Sequence, residues 1–155
     1  MHVKLICVVL FTPIICDELK LFKQCGKTRS FGTAGIDFIR INPCSKNRGD
    51  EPCAVKRGDT AVLEIGFTPK ISKPVQRFTA KGFWVRKNSD FLIPNMKTNG
   101  CDFATCPLEN NKPVVYTFKL RIPIIAPSMM AMVRWIMKSP DEEFDMCLEF
   151  PVIIK

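Results

Sequence analysis

The sequence predicts an all-β chain of six or seven antiparallel strands stacked in two sheets, and three observations carry that prediction. Apolar residues recur with a period of two, no window forms a convincing amphipathic helix, and turn residues divide the apolar runs. A length of 155 residues with 25% charged side chains leaves room for one core and excludes a multi-domain enzyme.

The elements follow in chain order. Met1-His2-Val3-Lys4 sets one positive charge ahead of the apolar run Leu5 to Cys16, which gives way to Asp17-Glu18. This pattern predicts a secretory signal peptide over residues 1–16 and a folded domain over 17–155. The run contains Pro13 and falls short of the roughly twenty residues a membrane-crossing helix needs. A strand is predicted at Ile36 to Ile41, where the apolar side changes between Phe38 and Ile39 in the manner of a bulge. Ala61, Leu63, Ile65 and Phe67 then alternate with Thr60, Val62, Glu64 and Gly66, and a further strand is expected within Val75 to Lys87. Tyr116, Phe118, Leu120 and Ile122 alternate with Val115, Thr117, Lys119 and Arg121. Met129, Ala131, Val133, Trp135 and Met137 make one face of the next strand, and Met146, Leu148, Phe150 and Val152 one face of the last. Arg57-Gly58-Asp59, Pro69, Pro74, Asn99-Gly100, Pro127 and Pro140 supply the turns.

The residue inventory closes most catalytic routes. His2 is the only histidine and lies in the segment expected to be removed, so Ser-His-Asp or Cys-His machinery and histidine-ligated metals are excluded. The acidic cluster Asp141-Glu142-Glu143-Phe144-Asp145 follows Ser139-Pro140 between two strand patterns, which makes it a solvated loop rather than an acid-base pair. Gly32-Thr33-Ala34-Gly35 lacks the lysine of a phosphate-binding loop. No catalytic residue, cofactor or metal is therefore expected. The net charge of +8 favours anionic partners, but the cations are scattered without a base-stacking motif, so nucleic acid is not one of them. The cations read equally as a solvated basic surface or as a docking surface in which Lys112, Lys119, Arg121 and nearby cations make transient contact with anionic membranes.

Eight cysteines, at positions 7, 16, 25, 44, 53, 101, 106 and 147, are a high count for a chain of this size and point to disulfides in an oxidising compartment. Loss of Cys7 and Cys16 with the leader leaves six, which allow fifteen pairings. Cys44 to Cys53 and Cys101 to Cys106 are short loops that can close locally, which leaves Cys25 with Cys147. A zinc site is disfavoured because there is no C-x-x-C pair. An immunoglobulin domain proper is disfavoured too, since the cysteines do not bracket a central tryptophan in that manner and no tyrosine stands two residues before a cysteine.

Taken together, Cys25-Gly26, Pro43-Cys44, Cys53 followed by Lys56-Arg57-Gly58, Cys101 through Cys106-Pro107-Leu108, Pro123, Trp135, and Cys147 with Pro151 resemble the ML lipid-recognition domain. That family includes the Niemann-Pick C2 sterol carriers and the group 2 mite allergens. The resemblance covers nearly the whole of 17–155 and implies an immunoglobulin-like two-sheet sandwich with an apolar cavity between the sheets. It also implies bridges Cys25–Cys147, Cys44–Cys53 and Cys101–Cys106, and no catalysis. Phe91 matches the aromatic at the pocket mouth of the sterol carriers, and Ile124 follows the matching Pro123. Where those carriers place a tyrosine before the proline matching Pro127, this chain has Ala126, so the resemblance implies a wider opening and a ligand beyond cholesterol alone.

Periodicity alone favours a dry core; the resemblance is what implies a cavity. The expected ligand-binding positions are Leu63, Ile65, Phe67, Phe91, Phe118, Leu120, Ile122, Ile124, Ala126, Met129, Ala131, Val133, Trp135, Leu148 and Phe150. The expected function is that of a monomeric secreted carrier for a sterol, fatty acid or similar lipid. The alternative is an innate-immune or chemosensory lipid-recognition protein acting through a receptor. Neither Asn42-Pro43-Cys44 nor Asn88-Ser89-Asp90 is a glycosylation sequon, so extracellular fluid is preferred over the lysosome.

Overall fold

The computed structural model describes residues 22–25, 34–45 and 52–155, together with two short backbone strands, β1 (Cys7–Val9) and β2 (Thr12–Ile14). These two pair antiparallel in a sheet of their own, within the segment expected to be a signal peptide.

The remaining strands form the two-sheet sandwich. One sheet has the order β4 (Ala34–Asn42), β6 (Thr60–Pro69) and β9 (Val114–Arg121). The other runs β3 (Lys23–Gln24), β11 (Asp145–Ile154), β10 (Met129–Lys138), β7 (Thr79–Val85) and β8 (Phe91–Leu92). β5 (Cys53–Val55) pairs with the end of β11, and this is the one parallel pairing among the described strands. The long strands fall where period-two patterning requires them. The differences from six or seven strands are β3, β5 and β8, which are two or three residues long and too short to carry a period.

Each long strand turns one apolar row inward. Ala61, Leu63, Ile65 and Phe67 of β6 face Val133, Trp135 and Met137 of β10 and Leu148, Phe150 and Val152 of β11 across one continuous core, while alternate residues of β9 stand in water. Met129 departs from this pattern: it stands at the start of β10, beyond the cover of the smaller sheet, and is exposed. The bulge in β4 lies between Ile36 and Phe38, leaving Asp37 without a partner across the ladder. Phe38 thereby lies against the backbone of Gly66, where an added Cβ would stand 2.3 Å from the ring, and the Arg40 guanidinium lies 3.8 Å from the Phe38 ring centroid.

The two ends of the sandwich differ. At the end where Phe67 pairs with Val114, Phe144 stacks on Phe67 at 5.3 Å and meets Phe78 edge-on at 5.5 Å, sealing the interior. On the outer face of the larger sheet, Arg134 binds Glu149 at 2.6 Å and also pairs with Asp90, and Lys23 approaches Glu149 at 3.4 Å. Burial pushes the Glu149 carboxyl up, but hydrogen bonds and charge from Arg134 and Lys23 outweigh it and hold the group below its usual range.

The bridges Cys25–Cys147, Cys44–Cys53 and Cys101–Cys106 are all formed. Cys44–Cys53 joins the strand end of one sheet to the short parallel strand of the other, whereas Cys25–Cys147 ties the start of the domain to β11 within a single sheet. A loop-entropy argument ranks them by sequence separation: 122 residues for Cys25–Cys147 corresponds to about 5 kcal/mol, and 5 residues for Cys101–Cys106 to about 2 kcal/mol. Replacing both Cys25 and Cys147 by serine is therefore expected to cost more stability than the same change at Cys101 and Cys106. Urea titration of the two variants checks the order, and the reverse ranking would contradict it.

Candidate functional site

At the end opposite the phenylalanine seal, the two sheets part. β9 is an outer strand of the smaller sheet, held at Thr117 by an N–H bond to Phe103 O at 3.0 Å, and the β7–β8 hairpin forms the corresponding edge of the larger one. Between these edges opens a cavity of about 340 Å³ lined by Trp84, Ile93, Pro94, Asn95, Met96, Phe118, Lys119, Leu120, Arg121 and Pro123. Its walls are mostly apolar, and Asn95, Lys119 and Arg121 stand at the rim. The volume lies at the lower end of the range for small-molecule sites.

The far wall of the mouth is built by the chain after β8. Ile93 N–H donates to Gly82 O at 2.9 Å, the Ala80 N–H donates to Thr98 O at 2.9 Å, and Gly82 N–H points at Met96 Sδ at 3.0 Å. Asn95, at φ +57°, takes the left-handed turn that folds this segment back over β7; asparagine tolerates that conformation better than most residues. Beneath it, Trp135 pairs across the ladder with Gly82, and the indole occupies the space a side chain there would fill. Phe118 meets Trp135 edge-on at 5.3 Å and Phe103 at 5.1 Å. Successive inward residues of β9 are Leu120, Phe118 and Tyr116, so Tyr116 and Trp135 form the layer directly behind the cavity wall.

The structure distributes the expected ligand-binding residues among three environments. Phe118 and Leu120 line the cavity. Leu63, Ile65, Phe67, Ile122, Val133, Trp135, Leu148 and Phe150 are buried in the continuous core behind or beside it. Ala126 and Ala131 are half-buried against that core, while Phe91 at 48%, Ile124 at 71% and Met129 at 49% are exposed. Phe91 lies on the edge strand with the Arg86 guanidinium 4.7 Å from its ring centroid. Ala126 O accepts from Arg57 Nη1 at 3.4 Å. Trp84, Met96 and Asn95 line the cavity although period-two reading did not single them out. Trp84 lies inside a predicted strand, and Ile93 and Pro94 lie between predicted strands.

A second, more open hollow of about 660 Å³ is lined by Ser45, Ala54, Val55, Lys56, Arg57, Ile124 and Lys155. Gly58, at φ +82°, makes the tight turn beside it, with space for a Cβ only 3.3 Å from Ile124 Cγ1. Ile125 at the adjoining loop tip is 93% exposed. Apolar tip and cations thus share one end of the molecule. Lys112, by contrast, is paired with Glu109 at 2.5 Å.

Comparison with known proteins identifies the lineage. The model of the ML domain matches residues 20–154. The dog protein named NPC intracellular cholesterol transporter 2 is 26% identical over 135 residues, covering 86% of this chain and 84% of its own. A mite group 2 allergen from Glycyphagus domesticus is 28% identical over 110 residues, covering 71% of this chain and 78% of its own. The crystal structure of a Niemann-Pick type C2 protein from the Japanese carpenter ant superposes with a TM-score of 0.71 at 23% identity, covering 87% of this chain and 99% of that one, and so shares the fold.

A Cβ at position 82 would stand 2.4 Å from Trp135 Cζ3 and 2.7 Å from Ile93 Cδ1. Gly82→Ala is accordingly expected to destabilise the domain by about 2 kcal/mol, since overpacking forces the indole off its seat. Chemical denaturation followed by tryptophan fluorescence measures this, and an unchanged midpoint would refute the seating argument.

Proposed function

Because the chain belongs to the ML domain family, we propose that it is a secreted lipid carrier, without enzymatic activity, that holds one apolar ligand between its two sheets and exchanges it with membranes. The observation that carries this reading is the cavity at the parted sheet edges, with apolar walls from both sheets and a cationic rim. A sterol or fatty acid entering there leaves water along its length while any anionic head stays beside Lys119 and Arg121. Burying roughly 400 Å² of lipid at about 25 cal/mol per Å² contributes on the order of 10 kcal/mol before association costs. Those costs bring the expected affinity to the micromolar range or modestly better. Formed disulfides suit an exported protein, and the reading includes removal of a leader ending near Cys16.

Exchange requires contact with a bilayer. The exposed Ile124-Ile125 tip and the neighbouring Lys56, Arg57 and Lys155 support docking to anionic lipid, the isoleucines entering the interface and the cations meeting phosphate. Of the three cations read from the sequence, Lys119 and Arg121 stand at the cavity rim and Lys112 is occupied by Glu109.

Two measurements test the proposal. Organic extraction of the purified protein followed by mass spectrometry is expected to release lipid, and Phe118→Asp is expected to abolish binding of a fluorescent sterol or fatty acid while secretion continues. Undiminished binding by that variant would remove the cavity from the site. Transfer of the same probe to vesicles is expected to quicken severalfold when acidic lipid is added and to lose that dependence at high salt; equal rates with and without acidic lipid would exclude the docking surface.

A further inference from the structure

Among the described residues, the buried side-chain atoms without a hydrogen-bond partner of ordinary geometry include two that lie together in the sandwich interior, Tyr116 Oη and Trp135 Nε1. Both residues are 0% exposed, and their rings meet edge-on with centroids 5.9 Å apart. Leaving such groups unpaired in an apolar interior costs free energy, so native structures nearly always satisfy them. Their inventory of protons defines what is missing. The indole N–H can only donate, whereas the phenol both donates and accepts. Burial, the larger effect, pushes the Tyr116 hydroxyl above its usual range and keeps it protonated, while the Trp135 N–H, directed at the phenol oxygen, acts in the opposite sense. Even with the indole proton turned fully onto the phenol oxygen, the phenol proton still lacks an acceptor. The pair is short by one acceptor atom.

Position indicates where that acceptor comes from. Phe118, which lines the cavity, contacts both residues, at 6.3 Å to Tyr116 and 5.3 Å to Trp135 between ring centroids. A ligand that displaces Phe118 would meet the pair next. Among the described residues the buried polar or charged side chains are Ser139 and Glu149, and neither is a cation. A carboxylate would be buried there without a countercharge, so the acceptor has to be neutral.

The geometry points to a ligand whose inserted end carries a neutral acceptor oxygen, as a carbonyl, hydroxyl or ether, received by Tyr116 and Trp135 behind Phe118. This rests on the carrier reading and narrows it. A sterol or fatty acid entering tail first presents bare hydrocarbon at that point, whereas a long-chain ketone or alcohol entering oxygen first completes the pair.

The test compares heptadecan-2-one with heptadecane on delipidated full-length secreted protein, by displacement of a fluorescent fatty acid. The ketone is expected to bind about tenfold more tightly, the ordinary worth of satisfying one buried donor. Tyr116→Phe, which leaves only the Trp135 N–H to meet the oxygen, is expected to narrow the preference severalfold while leaving the melting temperature undiminished. In ¹⁵N spectra, the Trp135 indole resonance, assigned with a Trp84→Phe control, should shift downfield with the ketone and not with heptadecane. If both probes bind equally, or if Tyr116→Phe preserves the preference, the inference fails and the carrier reading survives. If neither displaces the fatty acid from a protein that demonstrably binds it, the inner oxygen site is likewise overturned. Failure to bind the fatty acid, either probe and any extracted lipid would sink both readings.

Discussion

The interior is organised around the Trp135 indole lying on the bare backbone of Gly82. Register makes the contact possible, because the two residues face each other across the β7–β10 ladder, and glycine makes it sterically permissible. The consequences spread from there. Ile93 closes over the same ring, Phe118 and Tyr116 approach it from the opposing sheet, and the boundary between cavity and core falls where the aromatic layer stands. A side chain at position 82 would raise the ring into the space between the sheets and change both the depth of the cavity and the partners available to the indole nitrogen.

The unequal sheets explain why an opening exists at all. Three strands cannot cover the inner face of the larger sheet, and the uncovered strip at β7 and β8 must be roofed by other chain. Segment 93–108 does this on one flank, anchored by backbone bonds to β7 and to Val75 and closed by Cys101–Cys106. Cys44–Cys53 secures the opposite flank, where the sheets are joined directly. The Cys101–Cys106 loop reaches the β9 edge at Thr117, whose N–H donates to Phe103 O at 3.0 Å, and the sheets part beyond that point, beside Phe118 to Arg121. The phenylalanine cluster at the far end prevents the parting from running through the molecule.

Much of this was legible in the sequence, for identifiable reasons. Period two is a local consequence of strand geometry, so Leu63, Ile65, Phe67, Val133, Trp135 and Leu148 could be assigned to the interior without knowing the fold. The short spacings of Cys44 to Cys53 and of Cys101 to Cys106 pointed to bridges that the folded chain forms. The cavity wall was harder to read. Trp84 points inward from the end of a strand whose partner across the sandwich is missing, and Met96 reaches the cavity through a left-handed turn at Asn95, neither of which leaves a period. Conversely, Met129 keeps the apolar rhythm of β10 but lies past the edge of the opposing sheet, where alternation no longer decides burial. Ile124 and Phe91 entered the expected site through resemblance alone; both are exposed, Ile124 at the second hollow and Phe91 on the edge strand β8.

A cavity of about 340 Å³ is small for a long-chain lipid, and the aromatic layer behind it bears on whether more room can be made. Phe118 is held by edge-on or stacked contacts to Phe103, Tyr116 and Trp135. Contacts of that kind contribute about 1 kcal/mol each beyond area burial, so swinging the ring aside costs roughly 3 kcal/mol. A lipid that replaces it returns on the order of 10 kcal/mol of apolar burial and keeps the core dry. On the carrier reading proposed above, that difference would favour displacement of the ring by a bound lipid, without a hinge or movement of the sheets. Met96, unbranched and set against the Gly82 N–H, can follow the same displacement without strain. On that reading, side-chain repacking within fixed walls would join the cavity to the aromatic layer, with the walls held in register by the disulfide clamps on either flank.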